Sequence, residues 1–247
     1  MTTSAQQTPL VVIAGGSSAA GIAVARSLVA AGLRVLTVGS DAGRITAAAE
    51  LTGGAVPLAC DLADAGAVAT LAAQIRAEFG SVDGLIHLVG GWRGGGGIVA
   101  QSDADWDFLH TSVLTTLRNT SRAFYDDLAA SPVGRLAIVS STSVTAPTAG
   151  NASYAAIKAA AEAWVQSIAQ GFAAQAAKTA QAAQHEAAEA PEPSAAVVLV
   201  VKALVDDPMR ERSPERSFPG FTDVSVLAES VTGLFSTPGL NGARIIL

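Results

Sequence analysis

The sequence is poor in the groups that build cross-linked or nucleic-acid-binding proteins. Its 247 residues include one cysteine, Cys60, which excludes a disulfide framework and a zinc finger and favours a reducing compartment. The 15 lysines and arginines are outnumbered by 21 acidic residues, so the formal net charge is −6. A chain without a basic excess is a poor ligand for a phosphate backbone. We therefore expect no nucleic-acid partner and no metal site.

Targeting signals and long apolar runs are also scarce. The N-terminal segment lacks a basic region, and its apolar run is too short for a signal peptide. The longest apolar stretch, residues 194–205 (SAAVVLVVKALV), is too short to span a bilayer and is interrupted by Lys202. These features predict a cytoplasmic protein with no membrane partner.

What the sequence does contain is a regular alternation of short apolar runs and helical patterns. Half of its residues are hydrophobic, which is enough for the core of one large α/β domain, and we assign residues 1–247 to a single domain. Continuous apolar strands between helices indicate a parallel sheet covered on both faces. The predicted strands are 10–15, 34–39, 55–60, 84–90, 135–141, 195–203 and 242–247.

Two further segments stand out from this alternation. Residues 173–194 are rich in Ala, Gln and Glu, and we interpret them as a solvated helical extension or insertion, with a partner-binding helix as the alternative. Residues 206–223 carry three arginines, which we interpret as a solvated charge run, with a contact to an acidic substrate as the alternative. These arginines are Arg210, Arg212 and Arg216.

A glycine-rich turn, AGGSSAAGIA at residues 14–23, joins the first predicted strand to a helix. Such a turn lets backbone N–H groups and the helix N-terminus approach a pyrophosphate. Its spacing departs from the common G-x-G-x-x-G pattern, so an ordinary strand–helix turn stays open on this feature alone. The predicted cofactor contacts in the turn are Gly15, Ser17, Ser18, Ala19, Gly21 and Ile22.

The end of the second predicted strand bears on the choice of cofactor. An acidic residue there would bind the 2′-hydroxyl of NAD and repel the 2′-phosphate of NADP. The strand instead ends in Gly39 and Ser40, and we expect Asp41 to cap the next helix. Ser40 can donate to a phosphate and Arg44 can pair with it. The sequence therefore favours NADP(H), with NAD(H) as the alternative.

Tyr154 and Lys158 lie four residues apart in an alanine-rich predicted helix, and therefore on one face of it. A neighbouring cation stabilises a phenolate and lowers the phenol pKa from its ordinary value near ~10. Ser141 ends the fifth predicted strand, from which it can face the same carbonyl. This set suits proton exchange with a substrate oxygen while a hydride moves at the adjoining carbon.

Together these motifs resemble the short-chain dehydrogenase/reductase family of the compact, single-domain type. The resemblance implies a Rossmann-type, doubly wound and mainly parallel seven-stranded sheet with helices on both faces. It also implies a nicotinamide cofactor, a small carbonyl or alcohol substrate, and a homotetramer or homodimer. By this resemblance Ser141, Tyr154 and Lys158 are catalytic, and the last two also contact the cofactor. The remaining cofactor contacts predicted are Asp61, Leu62, Val89 and Gly90.

Two positions depart from the family pattern. The family's Asn-Asn-Ala-Gly after the fourth strand reads HLVG here, and we interpret its His87 as shaping the turn, with a pH-sensitive role as the alternative. The family asparagine that holds a proton-relay water aligns with Val113 or, after a one-residue slip, with Ser112, while Asn119 lies on another helix face.

The departures from the family pattern, together with the low-complexity segment 173–194, leave the function between two classes. The loop at residues 90–97 carries Trp92 and Arg93 and is either a lid with a substrate contact or an ordered surface loop. The leading hypothesis is an NADP(H)-preferring oxidoreductase of a carbonyl/alcohol pair. The alternative is a non-catalytic dinucleotide-binding or regulatory protein of the same fold.

Overall fold

The computed structural model describes residues 8–183 and 194–247. Its strands are β1 (Leu10–Ala14), β2 (Arg34–Gly39), β3 (Val56–Ala59), β4 (Gly84–His87), β5 (Arg135–Ser141), β6 (Ala195–Val201), β7 (Leu204–Val205), β8 (Thr222–Asp223) and β9 (Arg244–Ile246). Its α-helices are α1 (Ala19–Ala30), α2 (Ala42–Glu50), α3 (Ala65–Glu78), α4 (Asp103–Leu109), α5 (Thr116–Ala130), α6 (Ala152–Ala183), α7 (Asp207–Arg212) and α8 (Val224–Gly233).

Seven strands form one sheet in the order β3-β2-β1-β4-β5-β6-β9, and every neighbouring pair is parallel. Side chains alternate between two separate apolar clusters along β1, because successive strand residues point to opposite faces. Phe124 and Phe172 pack in one cluster, and Leu28 and Val231 in the other. Helices thus cover both faces, which confirms the predicted doubly wound sheet.

The strand order reverses between β1 and β4, and open α/β sheets bind ligands in the crevice at such a point. Ala14 and His87 are register partners, so the segments that follow β1 and β4 leave the sheet side by side. Gly15 has a φ of +89°, and a Cβ there would lie 3.0 Å from the backbone of both Leu88 and Val89. This position therefore requires glycine.

The helix that begins after Ser102 is interrupted in the structure. Ser102 does cap it, since its hydroxyl accepts from the N–H of Asp105 at 3.1 Å. A wide π-helical turn, His110–Thr115, then separates α4 from α5. A π turn holds an extra residue, which the apolar spacing of the sequence does not reveal, and such turns often occur at functional sites.

The structure describes only part of one of the two segments, 173–194 and 206–223, that stand out from the alternation of strands and helices. Residues 173–183 continue α6, whereas residues 184–193 lie outside the described part of the chain. Residues 206–223 contain α7, and β8 pairs with β7 in a small parallel ladder apart from the main sheet. In the two described ranges, 8–183 and 194–247, we find no helix of the length and hydropathy needed to cross a membrane.

Candidate active site

The glycine turn after β1 is held by its own hydrogen bonds. The hydroxyl of Ser18 donates to the carbonyl of Gly15 at 2.9 Å and accepts from the N–H of Gly21 at 3.0 Å, which caps α1. A Cβ at Gly21 would lie 2.4 Å from the carbonyl oxygen of Gly15. Because nothing larger than a hydrogen fits there, Gly21 lets the turn rest directly on the first turn of α1.

A cavity of about 730 Å³ opens beside this turn, at the carboxyl ends of β1, β2 and β3. Arg44 and Cys60 line it with Phe108 and Thr111, which lie on or beside α4. The cavity brings together many of the predicted cofactor contacts. These are Gly15, Ser17, Ser18, Ser40, Asp61, Leu62, Val89 and Gly90.

Three of the predicted contacts, Ala19, Gly21 and Ile22, do not line this cavity. They form the first turn of α1, where Ala19 is exposed and Gly21 is buried under the glycine turn. The structure therefore gives Gly21 a packing role beneath the turn.

The end of β2 matches the sequence interpretation of Asp41. Its carboxylate accepts from the N–H of Arg44 at 2.7 Å and caps α2, so the prediction of a helix cap is confirmed. Ser40 and the Arg44 side chain line the large cavity, whereas Asp41 does not. The cavity wall at this strand end thus presents a hydroxyl and a guanidinium.

A second cavity, of about 360 Å³, adjoins the first because Leu88, Val89 and Gly90 line both. Ser141, Tyr154 and Lys158 converge on it. β5 supplies Ser141, which is almost fully buried, and α6 supplies the other two from one face of the helix. The structure thus brings together the three residues that the sequence singled out.

The phenol of Tyr154 has a raised pKa in this structure. Burial is the largest cause, and a hydrogen bond with Ser141 lowers the pKa in part. The ammonium of Lys158 lies 5.8 Å from the centre of the Tyr154 ring. The expected lowering of the Tyr154 pKa by Lys158 is not found in this geometry: burial raises the pKa, and the group that lowers it is Ser141.

Lys158 is itself buried, with 8% of its surface exposed, and its Nζ donates to the carbonyl of Val139 at 2.8 Å. Burial lowers the pKa of Lys158 to about 8, against an opposing effect of the Glu162 carboxylate. Lys158 therefore titrates close to neutral pH, and the charges around it decide how far it is protonated there.

His87 and Val113 flank the lysine. His87 is buried, its Nε2 lies 3.1 Å from the hydroxyl of Thr116, and burial followed by the charge of Lys158 lowers the pKa of His87 to about 3. A ring that stays neutral at physiological pH fits the interpretation of a turn-shaping residue and not the pH-sensitive alternative.

A Cβ built on Gly90 would lie 3.5 Å from a methyl of Val113 and 3.8 Å from Nζ of Lys158. Val113 and Lys158 therefore both lie against Gly90.

Two polar residues of the α4–α5 region have roles that the sequence did not reveal. The amide of Asn119 donates to the carbonyls of Leu62 and Ala63 at 3.1 Å each, so it fixes the loop after β3 and does not reach the lysine. Ser112 lines the large cavity, and its buried hydroxyl has no hydrogen-bond partner among the described residues. Such a group is available to a ligand.

The two loops differ in what they offer the site. Trp92 lines the smaller cavity and is 59% exposed, whereas Arg93 lies over the ring of Phe108 at 4.0 Å and pairs with Asp105 at 3.7 Å.

In the 206–223 loop, Arg210 forms ion pairs with Asp207 and Asp223 at 2.9 and 2.6 Å. Lys202, which the sequence did not place in the site, lines the smaller cavity. Arg93 and Arg210 are thus engaged within the protein, whereas Trp92 and Lys202 line the smaller cavity.

The sequence of the whole site region matches a known protein family. The family described as short chain dehydrogenase matches residues 9–183, which include the glycine turn, the loop after β4 and the Ser-Tyr-Lys set. The chain belongs to the short chain dehydrogenase family. The expected membership is thereby confirmed over more than half of the chain.

Curated members of the family are similar at moderate identity. The 3-oxoacyl-(acyl-carrier-protein) reductase FabG of Salmonella typhimurium is 29% identical over 151 residues, and the match covers 61% of this chain and 62% of the reductase. A short chain dehydrogenase of Pseudocercospora fijiensis is 30% identical over 163 residues, covering 64% of this chain and 53% of the relative. The chain thus spans less than two thirds of the length of these relatives.

Solved structures agree in fold. A short-chain type dehydrogenase/reductase from Mycobacterium ulcerans has a TM-score of 0.81 at 18% identity, covering 97% of this chain and 88% of that chain. The NADPH-bound structure of a short chain oxidoreductase from Pseudomonas aeruginosa, described as having an atypical catalytic center, has a TM-score of 0.78 at 19% identity, covering 97% and 95%. At these identities the similarity establishes the shared fold.

Proposed function

We propose that this protein is an NADP(H)-preferring oxidoreductase that interconverts a carbonyl and an alcohol at Ser141, Tyr154 and Lys158. One observation carries the proposal. The three side chains converge on a cavity that adjoins, through Leu88–Gly90, the larger cavity beside the glycine turn. A two-part ligand, with its reactive end at Tyr154 and its phosphate end at the turn, fits this arrangement.

The residues of the larger cavity fit a dinucleotide. The glycine turn, which admits no Cβ at Gly15 or Gly21, would hold the diphosphate together with the N-terminus of α1. Asp61 would hold the adenosine, and Ser40 and Arg44 the 2′-phosphate. The orphaned hydroxyl of Ser112 marks a further polar contact. When bound, the nicotinamide would supply or take the hydride at the substrate carbon.

The chain's own groups would manage the proton at the substrate oxygen. Ser141 would donate a hydrogen bond to that oxygen and fix its position. Tyr154, whose pKa is raised by burial, is protonated at neutral pH and would donate its proton to the oxygen during carbonyl reduction. The phenolate left behind would be stabilised by the ammonium of Lys158, 5.8 Å from the ring centre.

The relatives support this assignment without fixing the substrate. FabG of Salmonella typhimurium is named for reduction of a 3-oxoacyl group, and the Pseudomonas aeruginosa oxidoreductase was solved with NADPH. A small carbonyl substrate and NADP(H) are therefore our proposals for this chain. We extend the proposal to a cytoplasmic homotetramer or homodimer whose residues 1–247 form one domain, and whose 206–223 segment is the variable substrate loop.

Arg44→Ala tests the cofactor preference. Removing a guanidinium that pairs with a phosphate costs about 1.5–3 kcal/mol, so the dissociation constant for NADPH should rise about 10- to 100-fold. NADH lacks the 2′-phosphate, and its affinity should change little. Fluorescence titration of the variant and the wild type with both reduced cofactors measures these changes. An equal loss for NADH and NADPH, or tighter binding of NADH by the wild type, would refute the preference.

One observation favours a second candidate, a non-catalytic dinucleotide-binding or regulatory protein. The position of the family asparagine that holds a proton-relay water falls on Val113 or Ser112, and Val113, which lies against Gly90 as Lys158 does, has only an apolar side chain. This candidate predicts binding of NADPH without turnover across a broad panel of aldehydes and ketones. Following NADPH absorbance with that panel separates the two candidates, since any substrate-dependent oxidation that Tyr154→Phe removes supports the oxidoreductase.

A further inference from the structure

The face of α6 that carries Tyr154 and Lys158 continues with Glu162, four residues further on. The carboxylate of Glu162 is well buried, with 13% of its side chain exposed. It accepts from the hydroxyl of Ser140 at 2.5 Å and from Nε of Arg244 at 3.0 Å. A phenol, an ammonium and a carboxylate thus follow one another along one helix face, and nothing in the proposed reaction yet uses the carboxylate.

The partners of Glu162 come from two strands of the sheet. Ser140 precedes Ser141 on β5, and Arg244 lies on β9, the edge strand next to β6. Nη2 of Arg244 lies 3.4 Å from the second carboxylate oxygen, so the guanidinium reaches both oxygens. The side chain of Arg244 is 27% exposed, although arginine side chains are mostly exposed in proteins. Glu162 and Arg244 thus form a partly buried ion pair behind the site.

Among the described residues, few charged or titratable side chains lie near Lys158. On its own helix these are Tyr154 and Glu162, on β4 it is His87, and on β9 it is Arg244 behind Glu162. After β6, Lys202 lines the same cavity, and its Nζ donates to the carbonyl of Pro219 at 2.9 Å. His87 is neutral at physiological pH and Tyr154 is protonated, so neither balances an ammonium. Glu162 is the anion whose effect opposes the desolvation of Lys158.

We propose that Glu162 is a positioning residue that supplies the counter-charge to Lys158, and that Arg244 limits how much of that charge the lysine feels. The role of this ion pair in catalysis rests on the proposed function. The electrostatic coupling of Glu162 and Arg244 to Lys158 does not depend on it. The last strand of the sheet then takes part in setting the state of the site lysine, through a carboxylate that does not touch the substrate.

The two members of the ion pair should have opposite effects on Lys158. Glu162→Gln removes the anion, so the pKa of Lys158 should fall by about one unit from its value near 8. Arg244→Gln removes a cation and frees the carboxylate, so the pKa should rise, by about half a unit. A merely structural role would not produce opposite shifts, because loss of either partner would loosen the same packing.

Nuclear magnetic resonance measures the titration directly. The chain has three lysines, Lys158, Lys178 and Lys202, so protein labelled with ¹³C at the lysine Cε gives three signals, and Lys158→Met assigns one of them. The matched control is Asp127→Asn, which removes a carboxylate of similar burial from an Arg76 ion pair of 3.0 Å remote from the site. The control should leave the Lys158 titration unchanged. Arg244→Lys, which keeps the charge, should also stay near the wild-type value.

The outcomes separate this inference from the proposed function, because no turnover is needed to see them. Opposite shifts in Glu162→Gln and Arg244→Gln support the coupling even if no carbonyl substrate is turned over. Shifts in the same direction, or no shift in Glu162→Gln, overturn it. If either glutamine variant fails to fold, Glu162→Met or Arg244→Met, which removes the same charge from a side chain of similar length, takes its place, and shifts in the same direction or no shift on loss of Glu162 overturn the inference. For an active enzyme, the alkaline limb of kcat/KM should move with the NMR titration.

Discussion

Tyr154→Phe is expected to lower the turnover number by about 10²- to 10⁴-fold, the usual contribution of a positioned acid–base group. The aromatic ring would stay in place and keep its packing, while the hydroxyl that donates the proton to the substrate oxygen would be lost. The dissociation constant for NADPH should remain nearly unchanged, since the larger cavity is untouched. Steady-state kinetics and fluorescence titration of the same variant measure the two quantities.

The chain offers a matched control, because it has two tyrosines. Tyr125 is partly buried; it stacks on Phe172 with ring centres 5.3 Å apart and packs against the core cluster that contains Phe172. Tyr125→Phe removes a hydroxyl from the same protein but outside the site, and we expect it to retain wild-type turnover. If Tyr154→Phe turned over substrate as fast as Tyr125→Phe, the acid–base role of Tyr154 would be wrong.

Gly21→Ala is expected to lower both stability and cofactor affinity. An added Cβ would lie 2.4 Å from the carbonyl oxygen of Gly15 and 2.7 Å from Cα of Gly16, so the backbone of the turn must move. Overpacking of this kind costs about 1–3 kcal/mol in the free energy of unfolding. Because the displaced backbone is the proposed diphosphate cradle, the dissociation constant for NADPH should rise about tenfold or more. Denaturant unfolding and fluorescence titration measure the two effects.

Gly233→Ala is the control for the glycine substitution. Gly233 ends α8, and a Cβ there would meet no atom within 4 Å. Alanine at an open helical position stabilises by up to about 1 kcal/mol, mainly by restricting the unfolded chain. Cofactor affinity should not change. A Gly21→Ala variant that behaved like Gly233→Ala would show that the close approach of the turn to α1 is not needed.

The sequence predicted the sheet well because its signal is local. Strands buried on both faces must be apolar throughout, and helices covering them must be apolar on one face, so the alternation is visible without the structure. The convergence of Ser141 with Tyr154 and Lys158 was also predictable, since a parallel strand followed by a helix places the end of one beside the start of the other. These predictions depend on spacing along a single strand–helix unit.

What the sequence could not predict depends on contacts between distant segments. The π turn between α4 and α5 adds a residue without changing the apolar pattern, so the position of Val113 against Gly90 appears only in three dimensions. The pairing of Glu162 with Arg244 joins positions 82 residues apart. The raised pKa of Tyr154 follows from burial, which the i, i+4 spacing of Tyr154 and Lys158 does not reveal.

The central claim, hydride transfer at the Ser141-Tyr154-Lys158 site, is tested most directly by isotope transfer. The wild type would be incubated with NADPH deuterated at C4 and a panel of carbonyl compounds, and the alcohols analysed by mass spectrometry, with Tyr154→Phe in parallel. We predict deuterium in at least one product alcohol with the wild type and its loss with the variant. Tight binding of the cofactor with no deuterium in any product, or equal transfer by Tyr154→Phe, would contradict the claim.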